Sequence, residues 1–112
     1  MKLSLVIPCY NEEKNVSLFY EAVKNDFAQV DFDYELVFVN DGSHDATYKE
    51  LRKLCDGDIP VKIVNFSRNF GKESAIYAGL TKAKGDLVCL IDADLQQRPE
   101  IVREMGKILD EQ

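Results

Sequence analysis

The sequence predicts an α/β fold, a three-layer sandwich built on a mainly parallel sheet, and three observations predict it. Four short runs rich in Val, Ile, Leu and Phe lack strict polar alternation, as strands covered on both faces do. The segments between them carry apolar residues at three- and four-residue intervals, the spacing of amphipathic helices. The two kinds of segment alternate along the chain, which calls for right-handed crossovers and helices on the sheet faces.

The first run, Leu3 to Pro8, has strand length, and Val16, Phe19, Tyr20, Val23 and Phe27 after it mark one face of a helix. A second strand is expected from Tyr34 to Val39, followed by a helix whose apolar face is Leu51, Leu54 and Cys55. Val61 to Phe66 reads as the third strand, and Ile76, Leu80 and Ala83 as the buried face of the third helix. The fourth strand runs from Asp86 to Ile91. A fourth helix is expected to begin at Pro99, a residue suited to the first helical position, and to carry Ile101, Val102, Met105, Ile108 and Leu109. With 112 residues, 46% of them hydrophobic, the chain is long enough for one core and too short for two.

Charge and cysteine usage narrow the partners. The net charge of −6 argues against a general nucleic-acid or anionic-membrane binder, so an anionic ligand must be held locally. From Arg68 to Lys84, however, four basic residues face one acidic one, which makes this segment the place to seek phosphate contacts. Cys9, Cys55 and Cys89 are odd in number and form no CxxC pair, which points to neither a disulfide set nor a zinc site and to a cytoplasmic setting. Cys9 and Cys89 lie in apolar runs and read as core residues. The opening residues have too short an apolar part for a secretory signal, and no stretch has the length of a membrane span.

In a parallel sheet the ligand crevice lies beyond the carboxyl ends of the strands, which singles out Pro8 to Glu12, Asn40 to Ser43, Ser67 to Lys72 and Asp92 to Gln96. In Asp92-Ala93-Asp94-Leu95-Gln96 an extended backbone projects alternate side chains to one side, so Asp92, Asp94 and Gln96 could converge on Mg²⁺ or Mn²⁺; a strand end followed by a turn cap is the plainer alternative. Asp41 can accept from an N–H of a nucleobase, Gly42 permits a tight turn, and Ser43 can cap the next helix. Pro8, Tyr10 and Glu12 offer a rigid bend, an aromatic shelter for a base and a carboxylate, although a helix cap explains them too. Arg68, Gly71 and Lys72 stand at the expected start of the third helix, a suitable environment for phosphate oxygens. No GxGxxG follows any strand, and Gly71-Lys72 has Phe66 and Glu73 where a Walker A loop needs Gly and Ser or Thr. His44, the lone histidine, is expected to lie exposed near a helix start.

These residues together resemble glycosyltransferase family 2, the inverting nucleotide-sugar glycosyltransferases. The motifs that carry the resemblance are Val6-Ile7-Pro8-Cys9-Tyr10-Asn11-Glu12-Glu13, then Val39-Asn40-Asp41-Gly42-Ser43 with Asp45 and Thr47, then Asp92-Ala93-Asp94, in order at the ends of expected strands from Leu3 to about Ile101. The runs Asn65 to Glu73 and Asp92 to Gln96 resemble more narrowly the polyprenyl-phosphate glycosyltransferases of the dolichol-phosphate and undecaprenyl-phosphate type. That subgroup usually continues with Asp-Pro-Pro-Glu, whereas Gln97-Arg98-Pro99-Glu100 stands here.

The resemblance implies the nucleotide-binding half of a GT-A (Rossmann-like) glycosyltransferase domain, with residues 1–112 forming an amino-terminal portion of a longer transferase. It implies that Pro8, Tyr10 and Glu12 line the base and ribose, that Asp41 bonds the base, that Ser43 and Ala93 complete the nucleotide site, and that Lys72 lies near the diphosphate. Asp92, Asp94 and Gln96 would hold Mg²⁺ or Mn²⁺, with Asp92 and Asp94 central to catalysis. The implied donor is a UDP- or GDP-sugar and the implied acceptor a lipid phosphate or a glycan, with the complete enzyme associated with the cytoplasmic face of a membrane. The chain alone is expected to be inactive in transfer, and the open edge beside the fourth strand to favour self-association. Two other readings are a non-catalytic nucleotide-binding α/β module and a nucleotidyltransferase. Acids after strand four, where a receiver-like module needs them after strand one, oppose the first. A Pro-Cys-Tyr-Asn-Glu turn in place of a Gly-rich loop after strand one opposes the second.

Overall fold

Four parallel strands, β1 (Lys2–Cys9), β2 (Asp33–Asn40), β3 (Val61–Asn65) and β4 (Leu87–Leu90), form one sheet in the order β3-β2-β1-β4 in the computed structural model, which describes residues 2–93. Three helices connect them: α1 (Val16–Asp26), α2 (Thr47–Leu54) and α3 (Lys72–Lys82). The expected α/β order is therefore present, with each strand within a residue of its expected span. Ladder bonds continue from Phe66 to Asn40, from Asp86 to Lys2 and from Ile91 to Val6, which accounts for the residues just outside β3 and β4. The expected helix from Pro99 lies outside the described residues.

Side-chain alternation sorts the core into two faces. Leu3, Leu5, Ile7 and Cys9 of β1 join Leu36 and Phe38 of β2 in a cluster with Val16, Phe19, Tyr20 and Val23 of α1 and Leu51 of α2. The Phe19 ring meets Phe38 edge-on at 6.1 Å. The intervening residues, Val6, Val37 and Val39, are fully buried under α3 on the other face, so β1 and β2 are covered on both sides. This is why they read as continuous apolar runs.

The third helix departs from its expected face. Ala75 and Gly79 are its buried residues, Ile76 is half-buried, and Leu80 is 46% exposed. A Cβ on Gly79 would stand 2.3 Å from Val6 Cγ1 and 3.2 Å from Val39 Cγ2, so α3 approaches the sheet too closely for a larger side chain. Cys55 is likewise exposed, because α2 ends at Leu54 and only Leu51 of its apolar face is fully buried. Cys9 is buried and Cys89 half-buried, close to the core role expected of them.

Strand order reverses between β1 and β4. The chain steps outward from β1 through β2 to β3, then returns over the sheet through α3 to lay β4 on the free side of β1. The carboxyl ends of β1 and β4 therefore flank the position where a parallel sheet opens a crevice. Register brings the strand ends level: Cys9 pairs with Asn40, Asn40 with Asn65, and Val6 with Leu90, which carries Asp92 to the height of Pro8.

Candidate functional site

The loops that leave β1 and β2 are stapled to each other. Asn11 adopts a left-handed backbone, φ 54°, a conformation that asparagine tolerates, and its N–H donates to Ser43 Oγ at 2.9 Å. Its side-chain oxygen accepts from the His44 N–H at 2.9 Å. One residue on, the Glu12 N–H donates to Thr47 Oγ1 at 2.9 Å, and the Glu13 N–H to Asp45 Oδ2 at 3.3 Å. Asp45 also accepts from both the amide and the hydroxyl of Thr47. Burial disfavours the charged form of Asp45, but the Thr47 and Glu13 donors outweigh it and hold its carboxyl below the usual range.

Ser43 therefore does not cap the next helix as expected. Its hydroxyl donates to Asn40 Oδ1 at 2.6 Å, and Asn40 Nδ2 donates to Asn65 Oδ1 at 2.8 Å, so one polar chain ties the ends of β1, β2 and β3. The N-cap of α2 is Ala46, without a side-chain cap bond.

A second staple holds the loop after β3. Asp41 is 4% exposed, and its Oδ1 accepts from the Phe70 N–H at 2.7 Å. Its Oδ2 accepts from the Gly71 N–H and from Asn69 Nδ2, both at 3.1 Å. The carboxylate thus occupies donors at the start of α3 that were expected to face phosphate. Gly42 makes this approach possible. Its φ is +66°, and a Cβ there would lie 2.1 Å from the Arg68 carbonyl carbon and 2.2 Å from the Asn69 nitrogen.

Between these loops a cleft of about 260 Å³ opens, lined by Pro8, Cys9, Tyr10, Glu12, Asp41, Lys72, Ala75, Asp92 and Ala93. It gathers Pro8, Tyr10, Glu12, Asp41, Lys72, Asp92 and Ala93 of the expected set. Ser43 stands behind it as a support, and Asp94 and Gln96 lie outside the described residues. Cys9 and Ala75 are additions. Burial, with the Glu12 charge, pushes the Cys9 thiol well above its ordinary range, so it serves as a wall and not as a nucleophile. Ala75 carried no signal in sequence, since a small residue on a helix announces neither chemistry nor hydrophobic periodicity.

Tyr10 is 43% exposed and its ring meets His44 edge-on at 6.3 Å, so a flat aromatic is presented at the mouth. Lys72 Nζ donates to Asp92 Oδ1 at 3.3 Å. Three carboxylates against one ammonium leave the lining at a formal −2, which repels a free nucleoside diphosphate and favours a cation. Asp92 suits a hard divalent ion: its carboxylate is open to solvent, and a cationic group, the Lys72 ammonium, already lies against it. Among the described residues no three His, Cys, Asp or Glu side chains are close enough together to hold a metal ion by themselves.

The basic stretch expected to serve phosphate is divided by the fold. Lys72 and Lys82 sit at opposite ends of the eleven-residue α3, about 15 Å apart along the axis. Lys84 follows at the far edge of the sheet, where its amide donates to Glu35. Arg68 lies over the Phe70 ring, 4.6 Å from its centre.

The family model for glycosyl transferase family 2 matches residues 4–112. The chain is similar to the bactoprenol glucosyl transferase of Shigella phage SfV, with 45% identity over 102 residues that cover 91% of this chain and 33% of the relative. It spans about a third of the length of the curated relatives it matches. The structure of S. aureus TarS 1–349 in complex with UDP-GlcNAc superposes with a TM-score of 0.78 at 28% identity, covering 99% of this chain and 32% of that one. The mannosyltransferase PcManGT from Pyrobaculum calidifontis, in complex with GDP-Man and Mn²⁺, superposes at 0.66 with 26% identity over 82% of this chain and 27% of its own.

Proposed function

This chain belongs to glycosyltransferase family 2, and from that premise we propose that it forms the nucleotide-sugar half of an inverting transferase. The enzyme takes the sugar of a UDP- or GDP-sugar and passes it to a polyprenyl phosphate, a glycan being the second acceptor class. The observation that carries the reading is the cleft at the β1/β4 reversal, which collects Pro8, Tyr10, Glu12, Asp41, Lys72, Asp92 and Ala93 from four strand ends. The GT-A fold shared with TarS and PcManGT, and their UDP-GlcNAc, GDP-Man and Mn²⁺, support a nucleotide-sugar donor and a divalent ion. The similarity to a bactoprenol glucosyl transferase supports the lipid-phosphate acceptor.

The residues divide the work by chemistry. Tyr10 shelters the base, Glu12 accepts from ribose hydroxyls, and Asp41, with capacity left on Oδ1, accepts from the base edge while it holds the loop. Asp92, with the Asp94 and Gln96 that the sequence assigns to the same motif, would hold Mg²⁺ or Mn²⁺, and Lys72 would neutralise phosphate charge. The ion supplies Lewis-acid stabilisation of the negative charge that develops as the diphosphate departs. A phosphate acceptor is already anionic at neutral pH, so transfer to it needs no strong general base. No helix of the described residues is long and apolar enough to cross a membrane. The reaction belongs at the cytoplasmic face, in keeping with three free cysteines.

Calorimetric titration of the chain with UDP and with GDP, with Mn²⁺ and then with EDTA, tests the reading. Binding is expected only with the ion present, and Asp92→Ala is expected to remove it with a thermal midpoint close to that of the parent, since the side chain is open to solvent. Equal affinity in EDTA would strike the ion from the account, and absence of binding to either nucleotide would overturn the reading.

A further inference from the structure

Lys72 is the first residue of α3, its side chain is 66% exposed, and its ammonium lies 3.3 Å from Asp92 Oδ1, whose side chain is 40% exposed. We propose that Lys72 is a displaceable counter-ion for Asp92, which disfavours a free divalent cation and turns to the diphosphate when cation and nucleotide arrive together. The inference rests on the nucleotide-sugar reading above and adds to it a coupling between cation and nucleotide.

Three features of the site carry it. The lining holds Glu12, Asp41 and Asp92 against Lys72, so without the ammonium the formal charge falls from −2 to −3 and a bare cation is drawn in more strongly. An ion pair this exposed is worth little, so its exchange costs little. The backbone beneath Lys72 is fixed, because the Gly71 N–H is held by Asp41 Oδ2 and the Ala75 N–H by the Gly71 carbonyl at 3.1 Å, whereas the four-carbon stem of Lys72 is free to swing its charge across the cleft. The same charge therefore acts in opposite directions on two ligands: it opposes Mn²⁺ alone and favours Mn²⁺ with a diphosphate. Coupling of this kind is reciprocal, so nucleotide and cation each raise the affinity for the other.

The test measures binding of Mn²⁺ alone, by electron paramagnetic resonance of the free ion, and of UDP and GDP with Mn²⁺, by calorimetry, for the parent chain, Lys72→Met and Lys72→Arg. Lys72→Met is expected to bind Mn²⁺ alone about three- to tenfold more tightly and the nucleotide with Mn²⁺ about tenfold more weakly, in line with one unit charge near the surface. Lys72→Arg keeps the charge and is expected to follow the parent in both. Thermal unfolding of all three is expected to coincide, which a merely structural ion pair would also allow, so the opposed signs are the decisive readout. If the parent binds a nucleotide with Mn²⁺ and Lys72→Met leaves Mn²⁺ binding unchanged or weaker, the exchange is refuted and the nucleotide-sugar reading stands. If the parent binds neither nucleotide, both fall together.

Discussion

Replacing Glu35 with alanine is expected to lower the stability of the chain by about 3 kcal/mol, the low end for breaking a buried ion pair, measured by urea unfolding. The side chain is 1% exposed near the amino end of the central strand β2. Its Oε2 accepts from Ser4 Oγ at 2.6 Å and from the Lys84 N–H at 2.8 Å, and Oε1 meets Lys62 Nζ at 2.8 Å and Lys2 Nζ at 3.7 Å. Removal leaves the buried Ser4 hydroxyl and the Lys84 amide without their acceptor, while the two lysines, 38% exposed, recover water and moderate the cost.

The same group sets an acid limit. Burial alone would raise its pKa, but the bonds from Lys62, Ser4 and the Lys84 amide, with the Lys62 charge, bring it down to about 2 from an ordinary value of 4.5. A lowered folded-state pKa stabilises above the unfolded value, so the contribution is complete above about pH 4.5 and fades as the pH falls toward 2. Glu35→Gln is expected to flatten the stability profile across that window. A parent profile equally flat there would show that the carboxylate contributes nothing of the kind.

The consequence reaches the cleft through register. Glu35 joins β1 at Ser4, β3 at Lys62 and the turn between α3 and β4 at Lys84, and the Gly85 N–H adds a bond to Ser4 Oγ at 2.8 Å. This anchors the start of β4 on β1, and the pairing that runs from Leu3 with Leu87 to Val6 with Leu90 then delivers Asp92 beside Pro8. A carboxylate at one end of the sheet positions a carboxylate at the other.

Glu35 also shows where reading the sequence stops. β1 and β2 were legible because burial on both faces leaves an unbroken apolar run, whereas β3 and β4 are apolar but only half-buried here, and the site was legible as short polar motifs at the strand ends. One glutamate inside a strand looks like a solvent-facing position, and its side-chain partners, Ser4 and Lys62, lie 31 and 27 residues away, a separation that no local pattern reports. The buried face of α3 differs from its expected one for the opposite reason. Periodicity weighs large apolar residues and so chose Ile76 and Leu80, whereas close packing on Val6 and Val39 selects Ala75 and Gly79. Asn11, Asp45 and Thr47 carry the family resemblance, and Ser43 is also expected in the nucleotide site. Their hydrogen bonds staple together the loops that carry the cleft-lining residues.

Gly42→Ala is expected to be the most damaging glycine-to-alanine change among the described residues, costing about 2–4 kcal/mol and most of the nucleotide affinity. The new Cβ would meet backbone, the Arg68 carbonyl carbon at 2.1 Å and the Asn69 nitrogen at 2.2 Å, and backbone cannot turn aside as the tip of a side chain does. The left-handed φ of +66° adds strain for alanine. Relief requires the loop at 68–70 to move away from the end of β2, and that motion stretches the bonds from Phe70 and Gly71 to Asp41 that fix the start of α3. Lys72 moves with them, so the cleft loses the alignment of Asp41, Lys72 and Asp92 together. Affinity for UDP or GDP with Mn²⁺ is expected to fall by at least about tenfold, as follows when supporting backbone shifts by an ångström. Urea unfolding and calorimetry on the same preparation separate the two effects. A variant that unfolds with the parent and binds as tightly would show that the loop after β3 has room to yield, and that Asp41 does not hold the cleft in shape.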